Sequence, residues 1–423
     1  MTSYYFKTFV KVNIILFTAF CLSACYVWEL ANYRWHNSKA KTSWSKSVGG
    51  EDVARMPFRK LNGHVLVDVK INNRPFTFVL DSGAAATVIT ETLATNLLDL
   101  PKDRTITISG QGRDGDRVAY VVHDITIELG SFSLQNISVI HVPTQSMPFD
   151  SIEETYFDGV LGADFFKCCL VEINNDEQLL YIAGLGATNK RHPTHNINEW
   201  EALDISVEND KPFLNTTAIN NHSAKEIKLM IDTGSTGALT LFLNDDVFAL
   251  PRVTYPAQTN GISGETDNSV GLLMQLDIGQ FTFTDLPTYF RKEGANKQSS
   301  SHGILGNRVL MQFNVVLDFT NEKMWIKPTK HHSNQITNDR SGLRILPHSQ
   351  GGIVKNVAKG LGGEAIGITP NSIITHISEE RLTSDNFDRL MYKLMLPTYN
   401  TLPLCWQTQE NNYCDVVELK SRF

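Results

Sequence analysis

The chain has 423 residues, of which 42% are hydrophobic and 20% charged, and this composition is typical of a globular protein with two or three domains. The formal net charge of −7 provides no basic surface for nucleic acid, which excludes that class of partner. No Cys/His spacing indicates a zinc site, and no metal or cofactor is expected.

The N-terminus carries a predicted targeting segment over residues 1–25. Two lysines precede an apolar run at 14–20, which ends in Leu-Ser-Ala-Cys at 22–25. This ending resembles the box of bacterial lipoproteins, and the resemblance implies a signal peptide, lipidation of Cys25 and a membrane anchor that does not span the bilayer. We therefore expect a body in the cell envelope that faces the periplasm, with the outer membrane favoured.

An uncleaved transmembrane anchor is the alternative, because residues 26–28 extend the apolar stretch toward the length of a membrane span. Residues 26–52 are rich in Ser, Lys and Gly, and this composition predicts a tether between the anchor and the body. In either case the body lies outside the cytoplasm.

One short motif occurs twice, at 78–83 and at 229–234. Each copy has three apolar residues, an aspartate (Asp81 or Asp232), a small hydroxyl residue and a glycine. Apolar runs bounded by Gly are typical of buried strands, so each aspartate is predicted where a buried strand enters a turn. A buried carboxylate is costly unless the protein uses it.

The surroundings of the motif repeat as well. An apolar-apolar-Gly segment follows each copy, at 160–162 and 304–306, and the intervening stretches 127–134 and 276–283 match each other. Three landmarks in the same order and at similar spacing indicate the internal duplication of a whole domain.

These paired motifs resemble those of the aspartic peptidases, and the retropepsin-like branch more closely than the pepsins. The resemblance covers residues 53–328. It implies an all-β fold with two tandem acid-peptidase-type β-barrel lobes, at 53–185 and 199–328, joined by a linker at 186–198. Viral members pair two chains, whereas both lobes here lie in one chain, so a monomer is sufficient for the site.

The resemblance assigns catalysis to Asp81 and Asp232, which we call the dyad. Two carboxyls a hydrogen bond apart cannot both ionise cheaply, so they share one proton. The ionised carboxyl takes a proton from water, and the protonated carboxyl donates to the scissile carbonyl. The apparent pKa values then belong to the pair.

The neighbours of the dyad have supporting functions in this interpretation. The hydroxyls of Ser82 and Thr233 can form hydrogen bonds across the lobe interface and fix the two turns. Gly83 and Gly234 let the backbone approach the carboxylates closely.

Two Gly-rich segments, 109–119 and 260–265, occupy the place of the flaps that cover substrate in this family. Ordinary exposed hairpins are the alternative. Neither segment has the tyrosine that a pepsin flap carries, which favours the retropepsin-like branch.

A second linker at 329–341 precedes a tail at 342–423 that resembles a PDZ domain of the bacterial protease type. Such domains bind extended peptides by strand addition, although a purely structural β-rich cap is the alternative. Cys405 and Cys414 flank a polar loop, so a disulfide between them is available in an oxidising periplasm. The adjacent Cys168 and Cys169 are interpreted as small buried hydrophobic residues.

The sequence therefore predicts a membrane-anchored aspartic endopeptidase that hydrolyses peptide or protein substrates. The first alternative is a non-catalytic peptide-binding protein that has kept the two-lobed cleft. The second is an enzyme whose lobes pair between chains.

Overall fold

The computed structural model describes residues 28–45, 52–147, 155–185, 199–220, 223–243, 248–292, 301–409 and 411–423. The predicted signal peptide with Cys25 and the linker at 186–198 lie outside these residues. Within the described part of the chain, no helix is both long enough and apolar enough to cross a membrane.

The all-β prediction is confirmed: β-barrels of the aspartic-protease type are followed by a β-rich C-terminal domain. The N-terminal strands are β1 (Lys41–Trp44), β2 (Val53–Pro57), β3 (Arg59–Leu61), β4 (His64–Ile71), β5 (Arg74–Leu80), β6 (Val88–Thr90), β7 (Thr105–Ile108), β8 (Arg117–Leu129), β9 (Phe132–Val142), β10 (Gly159–Leu161), β11 (Cys169–Asn174) and β12 (Leu179–Gly184).

The second lobe contains β13 (Glu201–Glu208), β14 (Lys211–Asn220), β15 (Ser223–Asp232), β16 (Leu239–Phe242), β17 (Tyr255–Gly261), β18 (Gly264–Ile278), β19 (Phe281–Arg291), β20 (Gly303–Gly306), β21 (Phe313–Asp318) and β22 (Lys323–Pro328). The C-terminal domain contains β23 (Leu343–His348), β24 (Gly351–Val357), β25 (Ile373–Ile377), β26 (Glu380–Arg381), β27 (Thr401–Gln407) and β28 (Asn412–Glu418).

Helices are short. They are α1 at residues 28–37, α2 (Ala163–Cys168), α3 (Asn307–Leu310), α4 (Gly362–Ala365) and α5 (Phe387–Lys393), with 3-10 turns at Thr95–Leu98, Thr144–Ser146 and Ser384–Asn386.

Hairpin β4–β5 delivers the chain to the first aspartate turn. Its two-residue connection, Asn72-Asn73, has positive φ at both positions, as a hairpin of right-handed twist requires. The connection agrees with the turn that the Asn-Asn pair predicts between the two apolar runs.

The two lobes use the same strand arrangement around their aspartates. In the first lobe β5 runs parallel to β10, and β6 is antiparallel to β10. In the second lobe β15 runs parallel to β20, and β16 is antiparallel to β20. Parallel strands end at the same edge of a sheet, so each aspartate turn lies beside the glycine that follows its partner strand.

One sheet of 13 strands passes through both lobes. The contact between lobes is the antiparallel pair β11–β21, in which Val171 lies opposite Leu317 and Ile173 opposite Val315. Apolar side chains of both lobes merge into a single buried cluster around this sheet. The lobes are therefore joined by backbone hydrogen bonds as well as by side-chain packing.

The C-terminal domain packs against the first lobe through its own core. Leu61, Leu66 and Val79 of the first lobe lie in the same buried cluster as Leu343 and Phe387 of the C-terminal domain. The domain therefore covers the outer face of the strands that lead to Asp81.

Two cysteine pairs are bonded. Cys405 lies opposite Cys414 on β27 and β28, and their S–S distance is 2.09 Å. The structure also joins the sulfurs of Cys168 and Cys169, so the interpretation of these two residues as separate small hydrophobic side chains is incomplete. Cys169 is nonetheless fully buried in the core.

The prediction of a tether over 26–52 is wrong for residues 28–45. Residues 28–37 form α1, and β1 adds to the first lobe as a partner of β9. The buried side chain of Tyr33 donates a hydrogen bond to Asp164, and Asn37 donates to the same carboxylate at 2.7 Å. The Ser, Lys and Gly residues of this segment suggested a tether, but one face of α1, which carries Tyr33 and Asn37, packs on the first lobe.

Candidate active site

The two aspartate turns meet at the interface between the lobes. The carboxyls of Asp81 and Asp232 lie close enough to interact directly, since each is placed against the glycine of the other's motif. Each glycine of the motif faces the opposite carboxyl: a Cβ on Gly83 would lie 2.6 Å from Cγ of Asp232, and Gly234 stands in the same relation to Asp81. Any larger residue at either glycine would collide with the carboxyl of the other lobe.

Backbone N–H groups hold the carboxyls in place. The N–H groups of Gly83 and Ala84 donate to Oδ1 of Asp81 at 2.8 and 3.0 Å. The N–H of Gly234 donates to Oδ1 of Asp232 at 2.9 Å. Each aspartate therefore leaves its second oxygen for other partners.

The hydroxyls of the motif cross the interface in a symmetric network. The N–H of Ser82 donates to Oγ1 of Thr233 at 2.9 Å, and the N–H of Thr233 donates to Oγ of Ser82 at 3.1 Å. Each hydroxyl then donates to a carbonyl of the opposite lobe, Ser82 to Ile231 and Thr233 to Leu80, both at 2.8 Å. Because both residues are almost fully buried, water does not replace these bonds.

Burial raises the pKa of both carboxyls. For Asp232 the facing negative charge of Asp81 adds to burial and places the pKa well above the ordinary value. For Asp81 burial also raises the pKa, but the hydrogen bonds from Gly83, Asp232 and Ala84 oppose the rise. The arrangement favours one proton shared between the two carboxyls.

His64 contacts the second turn and was not identified from the sequence. Its Nε2 lies 2.9 Å from the carbonyl oxygen of Gly234, and its Nδ1 lies 2.5 Å from the hydroxyl of Tyr156. Burial lowers the pKa of His64 to about 4, so the ring is neutral. A neutral ring that donates from Nε2 and accepts at Nδ1 satisfies both contacts.

The turn before His64 is held by two other parts of the chain. The side-chain amide of Asn307, in the second lobe, donates to the carbonyl of Gly63 at 2.7 Å. Asp388, in α5 of the C-terminal domain, accepts from the N–H of Asn62 at 2.6 Å. Only folding brings these residues together, since they lie hundreds of positions apart in the sequence.

The two predicted flap segments meet above the dyad. The N–H of Ser263 donates to the carbonyl of Gln111 at 2.9 Å, and the N–H of Asp114 donates to the carbonyl of Ser263 at 2.8 Å. Arg291 is buried beneath the tips and donates to the side chains of Gln111, Asn268 and Thr259. The hairpins β7–β8 and β17–β18 therefore form a joint roof.

The roof, the dyad and the C-terminal domain enclose one cavity of about 1390 Å³. The C-terminal domain contributes residues of β23 and α5 to its wall, among them Arg344, Ile345, Asp388 and Met391. In the described part of the chain, no three His, Cys, Asp or Glu side chains are grouped as metal ligands would be.

Comparison with known families agrees with this geometry. Residues 67–165 match a family model described as aspartyl protease. The matched segment carries Asp81 and the apolar-Gly segment that packs beside it. It supports an aspartic-peptidase-like protein and peptidase activity as the general class of function. A search of curated proteins found no match.

Proposed function

We propose that the chain is an aspartic endopeptidase whose two carboxyls, Asp81 and Asp232, come from tandem lobes of one polypeptide. The close approach of these carboxyls, in a cavity that both flap segments also line, carries the proposal. The family match covers the first lobe only. The assignment of the second lobe rests on its identical strand arrangement and on the symmetric Ser82–Thr233 network.

In the proposed reaction a water molecule binds between the carboxyls. Ionised Asp81 accepts a proton from this water as its oxygen attacks the scissile carbonyl carbon, and protonated Asp232 donates its proton to the carbonyl oxygen. The resulting gem-diol collapses when the amide nitrogen receives a proton from Asp81, the C–N bond breaks, and a diol hydroxyl returns a proton to Asp232. Each cycle consumes one water and restores the shared proton.

We further propose that the protein is lipidated at Cys25, is anchored in the outer membrane and faces the periplasm. The Leu-Ser-Ala-Cys ending of the apolar N-terminal run supports this location. The bonded pair Cys405–Cys414 suits an oxidising compartment. The C-terminal domain is proposed to be PDZ-like, on the basis of its strand and helix order.

The variants Asp81→Asn and Asp232→Asn test the mechanism. Each should lower the cleavage rate of a protein substrate by at least ~10²- to 10⁴-fold, the usual contribution of general acid–base groups, without loss of the folded state. Asp103→Asn is the matched control, because Asp103 is exposed.

Activity retained by either dyad variant would refute the proposal. Wild-type protein that retains peptides without cutting them would instead favour the non-catalytic binding protein.

A further inference from the structure

Two arginines on one wall of the cavity have no acidic partner. Arg308 lies in α3 of the second lobe, Arg344 lies in β23 of the C-terminal domain, and both line the cavity that contains the dyad. Among the residues that the structure describes, no carboxylate forms an ion pair with either guanidinium. Arg422, on the same cavity, differs because it pairs with Asp339 at 3.0 Å.

Arg308 is fixed relative to the second aspartate turn. The backbone N–H of Arg308 donates to the carbonyl of Gly237 at 3.1 Å, in the loop that follows Asp232. Its Nη2 contacts the carbonyl of Thr337 and, at 3.5 Å, the sulfur of Met395. Within the described residues Nη1 and Nε make no hydrogen bond, so these donors remain available in the cavity.

Arg344 approaches the same region from the C-terminal domain. Its guanidinium forms one hydrogen bond to a described residue, and this bond is long, 3.5 Å from Nη1 to Oδ1 of Asn260 on β17. Tyr289 also lines the cavity, and its phenol raises the pKa of both guanidiniums against the effect of burial, as do Asp339 for Arg308 and Glu265 for Arg344. The two arginines and Tyr289 therefore share the lining of one cavity.

The charges are costly in this environment. Burial lowers the pKa of Arg308 and of Arg344, although both remain cations at neutral pH. A cation removed from water is normally paired with a carboxylate or bound by uncharged acceptors. Arg291 is an example of the second arrangement, because amide and hydroxyl oxygens accept hydrogen bonds from its guanidinium. Both side chains are half-buried. Asp339 near Arg308 and Glu265 near Arg344 favour the charged forms, but among the described residues no carboxylate is within ion-pair distance of either guanidinium, and neither has a full set of neutral acceptors.

We propose that this wall is a subsite for a carboxylate of the peptide substrate, bound by the guanidiniums of Arg308 and Arg344. A carboxylate matches the planar donor geometry of arginine and forms the stronger, charge-assisted hydrogen bonds. The carboxylate is an Asp or Glu side chain or the C-terminus of the peptide. This inference rests on the proposed peptidase function and specifies the substrate class.

The first experiment uses full-length protein and matched peptides. A library of peptides with blocked termini identifies cleaved sequences, and pairs are then made that differ only in Glu against Gln at one position, or in a free against an amidated C-terminus. One pair should differ in kcat/KM by about ten- to a hundredfold in favour of the carboxylate, as expected for a hydrogen-bonded charge. Equal values for every pair would overturn the subsite.

The second experiment assigns the preference to the two arginines. Arg308→Gln and Arg344→Gln should each reduce the Glu/Gln ratio toward one while cleavage of the Gln peptide persists. Arg344→Glu should invert the preference toward Lys at the same position. Arg381→Gln is the matched control, because Arg381 is an exposed residue of the C-terminal domain. An unchanged ratio in folded Arg344→Glu protein would overturn the assignment.

A binding measurement separates this inference from the proposed function. Peptides retained from the same library by immobilised Asp232→Asn protein are compared with those retained by the Asp232→Asn, Arg344→Glu double variant. Retention of acidic peptides that the double variant loses, together with no cleavage by wild type, would support the subsite and refute the peptidase. Cleavage that is indifferent to substrate charge would support the peptidase and refute the subsite.

Discussion

The two lobes present the same turn to the dyad but support it from different directions. Asp164 lies two residues after Gly162 at the start of α2, and Asn307 lies one residue after the equivalent Gly306 at the start of α3. Asp164 is a buried acceptor for Tyr33, Asn37 and the N–H of Thr87, whereas Asn307 is a donor to the carbonyl of Gly63. The start of α2 is thus an attachment point for α1, and the start of α3 is an attachment point for a hairpin of the opposite lobe.

This difference shows how a symmetric site can have an asymmetric supporting structure. The first lobe is braced by the segment N-terminal to it. The second aspartate turn is braced by the first lobe through His64 and Gly63, and Asp388 of the C-terminal domain holds the same hairpin. Changes in the C-terminal domain should therefore reach Asp232 through this hairpin, in addition to reaching Asp81 through the strands that the domain covers.

The largest expected effect comes from the part of the site that is symmetric. Ser82→Ala and Thr233→Ala each leave a buried N–H and a buried carbonyl without their partners, at a cost of about 1–3 kcal/mol in unfolding free energy. Both variants should also lose at least ~10-fold in kcat/KM, and by similar amounts, because the network treats both lobes alike. Chemical denaturation and peptide cleavage measure these changes.

Ser82→Thr and Thr233→Ser are the controls for this pair, since each keeps a hydroxyl. A large loss of stability and kcat/KM in one alanine variant and none in the other would show that the two lobes do not depend equally on the network.

Asp164 at the start of α2 and Asn307 at the start of α3 should respond differently to substitution. Asn307→Asp replaces the donor with a carboxylate facing the carbonyl of Gly63, which should lower both stability, by about 1–3 kcal/mol, and kcat/KM. Asp164→Asn removes an acceptor of Tyr33, Asn37 and Thr87 that forms no hydrogen bond with either aspartate turn, so stability should fall while kcat/KM of the folded protein changes less. Comparable kcat/KM losses in the two variants would contradict the asymmetric bracing.

The smallest effect is the dependence of stability on pH. The folded-state pKa of Asp232 is raised by burial and by Asp81, so the folded state binds more protons than the unfolded state above the ordinary carboxyl pKa. Stability should therefore fall as pH rises from that value through the raised pKa. Asp232→Asn should reduce this decline to the part that Asp81 contributes, as denaturation midpoints across a pH series would show.

His64 contributes the opposite slope. Its pKa is lowered to about 4, below the ordinary histidine value of about 6.5, so stability should rise with pH between these values. Asp232→Asn protein should show this slope more clearly, and Asp232→Asn, His64→Gln protein should lack it. A slope that persists in the double variant would assign it to another group.

Much of the fold and the dyad could be predicted from the sequence because their signals are local and repeated. The apolar run before Asp81 forms a buried strand, and Asn72-Asn73 forms the turn before it. The helix at 28–37 was missed, because the Ser, Lys and Gly residues at 38–50 dominate the composition of the whole segment and outweighed the apolar residues before them, such as Trp28, Leu30 and Tyr33.

The remaining parts of the site depend on docking between distant elements. His64 resembled any other strand residue, and its contact with Gly234 exists only once the lobes have met. Arg308 and Arg344 become neighbours of one cavity only after the C-terminal domain packs on the lobes. No pattern at the period of a strand or helix carries that information.

The β11–β21 ladder has a consequence for assembly. Counted from Gly162 and Gly306, Glu172 and Val316 occupy equivalent positions, and they lie directly opposite each other in the ladder. This register is that of a self-complementary interface, in which two copies of one surface pair about a twofold axis. If the lobes descend from one duplicated unit, that unit could have associated as a homodimer through this edge. Because both units now lie in one chain, formation of the site does not depend on protein concentration. Activity per molecule should therefore be independent of dilution.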